Sequence, residues 1–337
     1  MTETERDSVV LMFDDQGYHS IRADLLGENL PGLEAHFINL HNEDVITEVK
    51  KAAKQFKSVD LILVDHVLDK TSDSSQELLS KGSSIVPMLR EHWDACPILA
   101  VTAAYDDCVQ DISSEAYEAI FPVEQFARLA QYMPSIIAGY KSIRESGGDL
   151  EGLLSLLGAP DDDRSALTAA LPEEAKKMLG QVECAHYVFR WFWGEFYHQP
   201  GFLYDSRWTS LLLGIKEDAL GEYRARIADA EYTGVFKHDE APRWWKAKVY
   251  SLLLPDSPRR FSVPIQEAAA EKLGVKEKDF SICYKCKEKW PEVMACVDEA
   301  SRACADMRPM HLRCTRAHPL ASAKPYYEEL RVMLEDQ

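Results

Sequence analysis

Four side chains carry the chemistry this sequence can offer: Asp14, Asp15, Asp65 and Thr102. Each stands where a short apolar run gives out. Val9-Val10-Leu11-Met12-Phe13 stops at the acidic pair, Val59-Asp60-Leu61-Ile62-Leu63-Val64 stops at Asp65, and Pro97-Ile98-Leu99-Ala100-Val101 stops at Thr102. Three carboxylates gathered at one place repel, and a divalent cation is the usual remedy. Mg²⁺ suits such a set, being hard, oxygen-seeking and content with a few carboxylates plus waters and a phosphate.

The elements that must position these groups read as alternating strands and helices. Continuous apolar runs of five or six residues suit strands buried on both faces. After the first comes a helix from Tyr18 to Leu30, ended by Pro31-Gly32, then a strand over 35–40 and a Lys-rich amphipathic helix from Val45 to Phe56. The third strand leads into a polar stretch, Lys70 to Lys81, and a helix from Ile85 to Trp93; the fourth ends at Thr102. A fifth, Ala119-Ile120-Phe121, precedes Pro122 and a long helix beginning near Val123. Such alternation predicts a five-stranded, parallel, doubly wound α/β sheet of flavodoxin-like type, because parallel neighbours need crossover connections. Ligands of such sheets bind outside the carboxyl ends of the strands, where the four residues fall.

In this arrangement residues 8–140 resemble the receiver domain of bacterial response regulators. The resemblance rests on an acidic pair after strand one (Asp14, Asp15), one acid after strand three (Asp65), a Thr after strand four followed by two Ala (Thr102 to Ala104), and Pro122 just past strand five. It implies that Asp65 accepts a phosphoryl group from a phosphohistidine of a histidine kinase or phosphotransfer protein. It further implies that Asp14, Asp15, Asp65 and the backbone carbonyl of Val67 hold Mg²⁺, and that Thr102 bonds the phosphoryl oxygen and draws its loop inward.

One position departs from the pattern. Receivers carry a Lys before that Pro, and this chain has Phe121. A phenyl ring supplies no cation, so the phosphorylated state lacks a charge-assisted contact worth roughly 1.5–3 kcal/mol. The position of the switching aromatic, three residues earlier, reads Glu118, with Tyr117 beside it. Three readings stay open beside phosphoryl signalling to an output partner: a pseudo-receiver that serves as a protein-docking adaptor, a phosphate sink, and a DNA-binding transcriptional regulator.

The composition sets the frame. The 337 residues are 46% hydrophobic and 28% charged, which excludes wholesale disorder and makes room for roughly two domains. The formal charge of -18 argues against a surface that coats nucleic acid or anionic lipid, but the imbalance is local: residues 1–240 carry -21 and residues 241–337 carry +3. There is no apolar stretch of membrane-spanning length and the opening residues are acidic, so a cytoplasmic protein with reduced thiols is expected.

Residues 1–145 are expected to form the receiver-like domain and residues 146–337 a mostly helical output domain, joined at Glu145-Ser146-Gly147-Gly148-Asp149. Pro172 to Gly194 reads as helix, and Tyr187 to Trp208 holds ten aromatics in 22 residues, the centre of a second core. Two Glu-x-x-His pairs, Glu183/His186 and Glu195/His198, lie about 18 Å apart on one helix, too far to share a metal. The Trp244-Trp245 pair reads as the start of a basic helix whose rings pack inward.

Residues 265–290 resemble a helix-turn-helix: Ala270, a turn at Gly274, and Phe280 as the apolar anchor of a second helix over 278–289. That helix would present Lys278, Lys285, Lys287 and Lys289 to DNA phosphates, although any tight helix pair favours the same residue types. Cys283-Tyr284-Lys285-Cys286 has the spacing of half a zinc site, with Cys296, Cys304, Cys314, His311 and His318 available for the rest, but inside a helix that spacing makes no zinc knuckle. No phosphate-cradling Gly-rich loop or nucleophile elbow is present, which argues against a stand-alone metabolic enzyme.

Overall fold

The computed structural model describes residues 8–15, 30, 32–40, 45–68, 81–146, 148–197, 201–253, 265–283, 286–289, 293–295 and 309–311. The helix expected from Tyr18, nearly all of the polar stretch after Lys70, and the candidate residues Lys285, His198, Cys296, Cys304, Cys314 and His318 lie outside them.

The predicted sheet forms. Strands β1 (Ser8–Asp14), β2 (Leu33–Asn39), β3 (Leu61–Val64), β4 (Ile98–Thr102) and β5 (Ala119–Pro122) are all parallel, in the order β2-β1-β3-β4-β5. Strand order reverses between β1 and β3, which makes the carboxyl edge there the place for a ligand. Helices α1 (Val45–Gln55), α2 (Val86–His92), α3 (Tyr105–Gln110) and α4 (Phe126–Ser146) accompany the strands. The short α3 is marked by no apolar period in the sequence and was not expected from it.

The sheet is held by apolar residues on both faces, as its unbroken runs require. Alternate positions Val9, Leu11, Phe13, Ile62, Val64, Ile98 and Ala100 share one core with Val45, Val49 and Ala52 of α1 and Val86 and Leu89 of α2, while Val10, Met12, Leu61, Leu63 and Leu99 are equally buried. Pro134 lies inside α4 without ending it.

Two compact units emerge. The first comprises residues 1–159, 164–195 and 234–238, so it continues past the expected linker near 145. Asp149 opens the next helix, Leu150–Leu156, by accepting the Gly152 N–H at 2.7 Å. The single helix expected over 172–194 is two, Glu173–Lys177 and Cys184–Trp191, parted at Gly180, whose φ of 78° no helix accommodates.

The second unit comprises residues 160–163, 196–233 and 239–337, and its described part is mostly helical. Helix Ser206–Leu213 starts with Asp205 accepting the Trp208 N–H and stops at Gly214, φ 69°; with Lys246–Leu253 and Ile265–Leu273 it surrounds Leu220, Tyr223, Ile227 and Trp244. Trp244–Trp245 is a short strand, β7, paired antiparallel with β6 (Leu203–Tyr204), rather than a helix start. Both rings are buried.

Among the described residues the second helix of the helix-turn-helix reading does not form. Glu277–Asp279 is one tight turn, Phe280 is extended and bridges Ile215, and Ser281 donates from its amide to Gly214 O and from its hydroxyl to Ile215 O. These bonds tie the chain to the end of the preceding helix and leave no basic helical face among the described residues. Lys278 instead lies 3.7 Å from Glu222, and Lys289 pairs with Glu277.

Candidate functional site

The parallel register assembles the acidic cluster. Phe13 is level with Val64, and the Asp65 N–H donates to Phe13 O at 3.0 Å, so the residue after β3 stands beside the end of β1. One carboxylate oxygen from each of Asp14, Asp15 and Asp65 lies within 4.8 Å of the others. Asp14 and Asp15 are buried, and Asp65 is partly so. The three predicted carboxylates are therefore brought together at the switch point.

Thr102 ends β4 next to them. Its hydroxyl accepts the Ala104 N–H at 3.1 Å, while the Val67 N–H donates to Asp65 Oδ1 at 3.2 Å. Burial pushes the Asp65 carboxyl up to about 6; the Val67 and Thr102 bonds pull it down, and the charge of Asp15 pushes it up again. The donor set fits Mg²⁺: only oxygens, three carboxylates at mutual reach, and anionic charge that burial makes costly. A bound cation would offset that cost.

Behind Asp65 lies a network the sequence did not signal. His66 is buried and shares a hydrogen bond with the Tyr117 hydroxyl through Nδ1 at 3.3 Å; its Nε2 is 3.7 Å from Asp111 Oδ2, which also pairs with Lys81. Burial lowers the His66 pKa, which favours its neutral form, and burial also keeps the Tyr117 phenol protonated. Lys81 bridges Val67, and the Gly82 N–H donates to His66 O at 2.8 Å. A Cβ at Gly82 would collide with Asp65 O, so the loop bearing Lys81 closes on the site only because residue 82 has no side chain. Only that Gly could have hinted at this in the sequence.

Phe121 stands at the end of β5, level with Val101, where the resemblance implies Lys. It is buried, its ring 5.1 Å from Trp193, in a cluster that includes Tyr132 and Phe189. Glu118 lies at the other end of β5, away from the acidic cluster. Its carboxylate pairs with Arg90, accepts the Ile98 N–H at 2.5 Å and lies 3.1 Å from His186 Nδ1. Burial alone would raise the Glu118 pKa, but the His186 bond and the Arg90 charge hold it below the ordinary value. Glu118 is thus a structural anion rather than a switching position.

Among the remaining candidates, Lys278, Lys287 and Lys289 lie far along the chain in the second unit and share no helix face. His186 of the first Glu-x-x-His pair is engaged with Glu118 and Tyr140. Among the described residues, no helix is long and apolar enough to cross a membrane.

No protein-family model and no curated protein matches the chain. Solved structures similar to part of this chain include a response regulator receiver domain protein from Clostridium thermocellum, 14% identical, covering 40% of this chain and 98% of that one at a TM-score of 0.30. Another is the isolated receiver domain of RcsB from Salmonella enterica serovar Typhimurium with the phosphomimetic BeF3⁻, 11% identical, covering 41% and 90% at 0.30. RcsB of the same organism bound to promoter rprA is 13% identical, covering 52% and 85% at 0.28. Likenesses of this size carry no argument about function, and the fold assignment stands on the strand order itself.

Proposed function

We propose that the first unit is a receiver-type phosphoryl acceptor, with Asp65 as the acceptor and Asp14, Asp15, Asp65 and the Val67 carbonyl as the holders of Mg²⁺. The observation that carries this reading is the meeting of three carboxylates within 4.8 Å at the switch point of a sheet ordered β2-β1-β3-β4-β5.

Mg²⁺ would supply charge neutralisation for the incoming phosphoryl oxygens. The chain's own groups do the rest. The Asp65 carboxylate attacks phosphorus as the donor's P–N or P–O bond breaks, and the donor group leaves with the bonding electrons. The Thr102 hydroxyl, close enough to Asp65 to act on its carboxyl, donates to the phosphoryl oxygen, and the Val67 N–H orients the nucleophile. The donor in this reading is a phosphohistidine of a histidine kinase or phosphotransfer protein, and the output passes to a partner through the second unit.

Incubation of the purified chain with Mg²⁺ and acetyl phosphate or phosphoramidate, followed by intact mass measurement, tests the proposal. One added phosphoryl mass that requires Mg²⁺ and is absent from Asp65→Asn supports it. An unmodified chain, or modification that survives Asp65→Asn, overturns it.

A second reading, a pseudo-receiver used as an adaptor, is favoured by one observation: Phe121 is packed against Trp193 where a cation would pair with the phosphoryl group. Under that reading a captured partner binds the Asp65→Asn chain with unchanged affinity. Under the first, phosphodonor changes that affinity and Asp65→Asn abolishes the change.

A further inference from the structure

A phosphoryl group on Asp65 would carry more charge than the acidic cluster and a divalent ion can balance. Asp14 and Asp15 are carboxylates, the phosphoryl group brings roughly two further negative charges, and only about two of the total are offset by such an ion. The remainder calls for a cation from the chain itself, through a charge-assisted hydrogen bond. Phe121 cannot supply it.

Lys81 stands close by on the loop that closes on Asp65. Its backbone bridges Val67 antiparallel, and the next residue, Gly82, donates its N–H to His66 O at 2.8 Å. A Cβ on Gly82 would stand 2.0 Å from Asp65 O. One Cα step away, the Lys81 Cα lies within about 8 Å of that oxygen, a span that a flexible four-carbon stem can cross. At rest the ammonium is turned aside to pair with Asp111, which also accepts the Ser113 N–H at 2.9 Å. Burial and the charges of Asp111 and Asp65 raise the Cys108 thiol pKa while Lys81 opposes them, so these three charges surround one side chain.

Two features leave the ammonium able to move. The Lys81 side chain is half-exposed, so nothing walls it in. The loops it joins are also tied by the Ser83 hydroxyl donating to that of Ser113 at 3.0 Å, a bond that does not need the ammonium.

We propose that Lys81 is the cation of the acceptor site, an assignment that rests on Asp65 taking the phosphoryl group: the ammonium leaves Asp111 and pairs with the phosphoryl oxygens as they arrive. It stays protonated throughout, and the exchange of partners breaks no covalent bond. At rest Asp111 keeps the ammonium off the three carboxylates, which leaves them to a metal ion. The arriving group attracts it more strongly than one carboxylate does because it carries more charge.

The full chain and its variants are incubated with Mg²⁺ and acetyl phosphate, uptake is followed by intact mass, and the binding of Mg²⁺ and of beryllofluoride is measured by calorimetry. Lys81→Met is expected to slow uptake and weaken beryllofluoride binding on the order of tenfold, while Mg²⁺ binding is not weakened. Lys81→Arg, which keeps the charge, should fall between that variant and the unmodified chain. Asp111→Asn, which frees the ammonium, should take up the phosphoryl group at least as fast as the unmodified chain. Unchanged uptake and beryllofluoride binding in Lys81→Met overturn the assignment and leave Asp65 as acceptor. A loss in Asp111→Asn equal to that in Lys81→Met also overturns it, as the mark of a structural ion pair. An unmodified chain that takes up no phosphoryl group overturns the acceptor reading and this assignment with it. Should Lys81→Met be insoluble, Asp111→Asn decides, slower uptake counting against the assignment.

Discussion

The Phe121 ring lies 5.1 Å from that of Trp193, the planes tilted by 54°. A position that faces a phosphoryl group in the receiver pattern is here an aromatic contact between the last strand and the chain beyond 190. Restoring the missing cation is therefore no simple repair. Phe121→Lys is expected to cost at least about 3 kcal/mol, from the lost ring and a buried ammonium, seen as a lower midpoint in urea unfolding. Phosphoryl uptake in the surviving folded fraction should not rise.

Asp65 offers a pH signature. Its carboxyl is pushed up to about 6 by burial, with Asp15 adding to the effect, and only the ionised form is a nucleophile. Uptake from acetyl phosphate at low Mg²⁺ should fall as pH drops through about 6. Saturating Mg²⁺ favours the carboxylate and should move that midpoint down. Because the folded value lies above the unfolded one, ionising this group between pH 3.8 and about 6 destabilises the Mg²⁺-free fold, so the gain in melting temperature on adding Mg²⁺ should be larger above that window than below it.

Glu118 behaves with the opposite sign. Its folded pKa is below its ordinary 4.5, so its contribution to stability is present above that value and lost as pH falls through the folded pKa. Glu118→Ala, which strands Arg90 and the Ile98 N–H, should cost about 3–5 kcal/mol at neutral pH. The gap between the two proteins should narrow in acid; a gap that stays constant to pH 2 would count against the ion pair.

Gly82 is the fourth lever. Any Cβ there meets the Asp65 carbonyl, so Gly82→Ala must displace the backbone of the acceptor residue. Weaker Mg²⁺ binding by calorimetry, on the order of tenfold, and slower phosphoryl uptake are expected while the fold persists. Gly221, with open space around its Cα, is the control position: Gly221→Ala should leave both unchanged.

Much of this was legible in the residues. Unbroken apolar runs ending at Asp14, Asp65 and Thr102 marked strands 1, 3 and 4 within a residue or two and set those ends at the right edge, since burial on both faces leaves no alternation to misread. The short α3 and the divided helix over 173–191 were not legible: one is too brief to show a period, and the other breaks at a single Gly180. The false helix over 278–289 had a physical cause too. Helical spacing of Phe280 and its lysines was local, whereas the bonds that decide the conformation run from Phe280 and Ser281 back to residues 214 and 215, more than sixty positions away.

The backbone around Asp65 is fastened on every side described: its amide to Phe13, the His66 carbonyl to Gly82, and Val67 to Lys81 across a bridge. On the proposed reading, an acceptor so fastened has little room to move its own backbone. Past Thr102, two alanines lead into a six-residue helix that shows Tyr105 and Val109 to solvent. On the proposed reading, a movement begun at Thr102 would meet the surface at those two side chains.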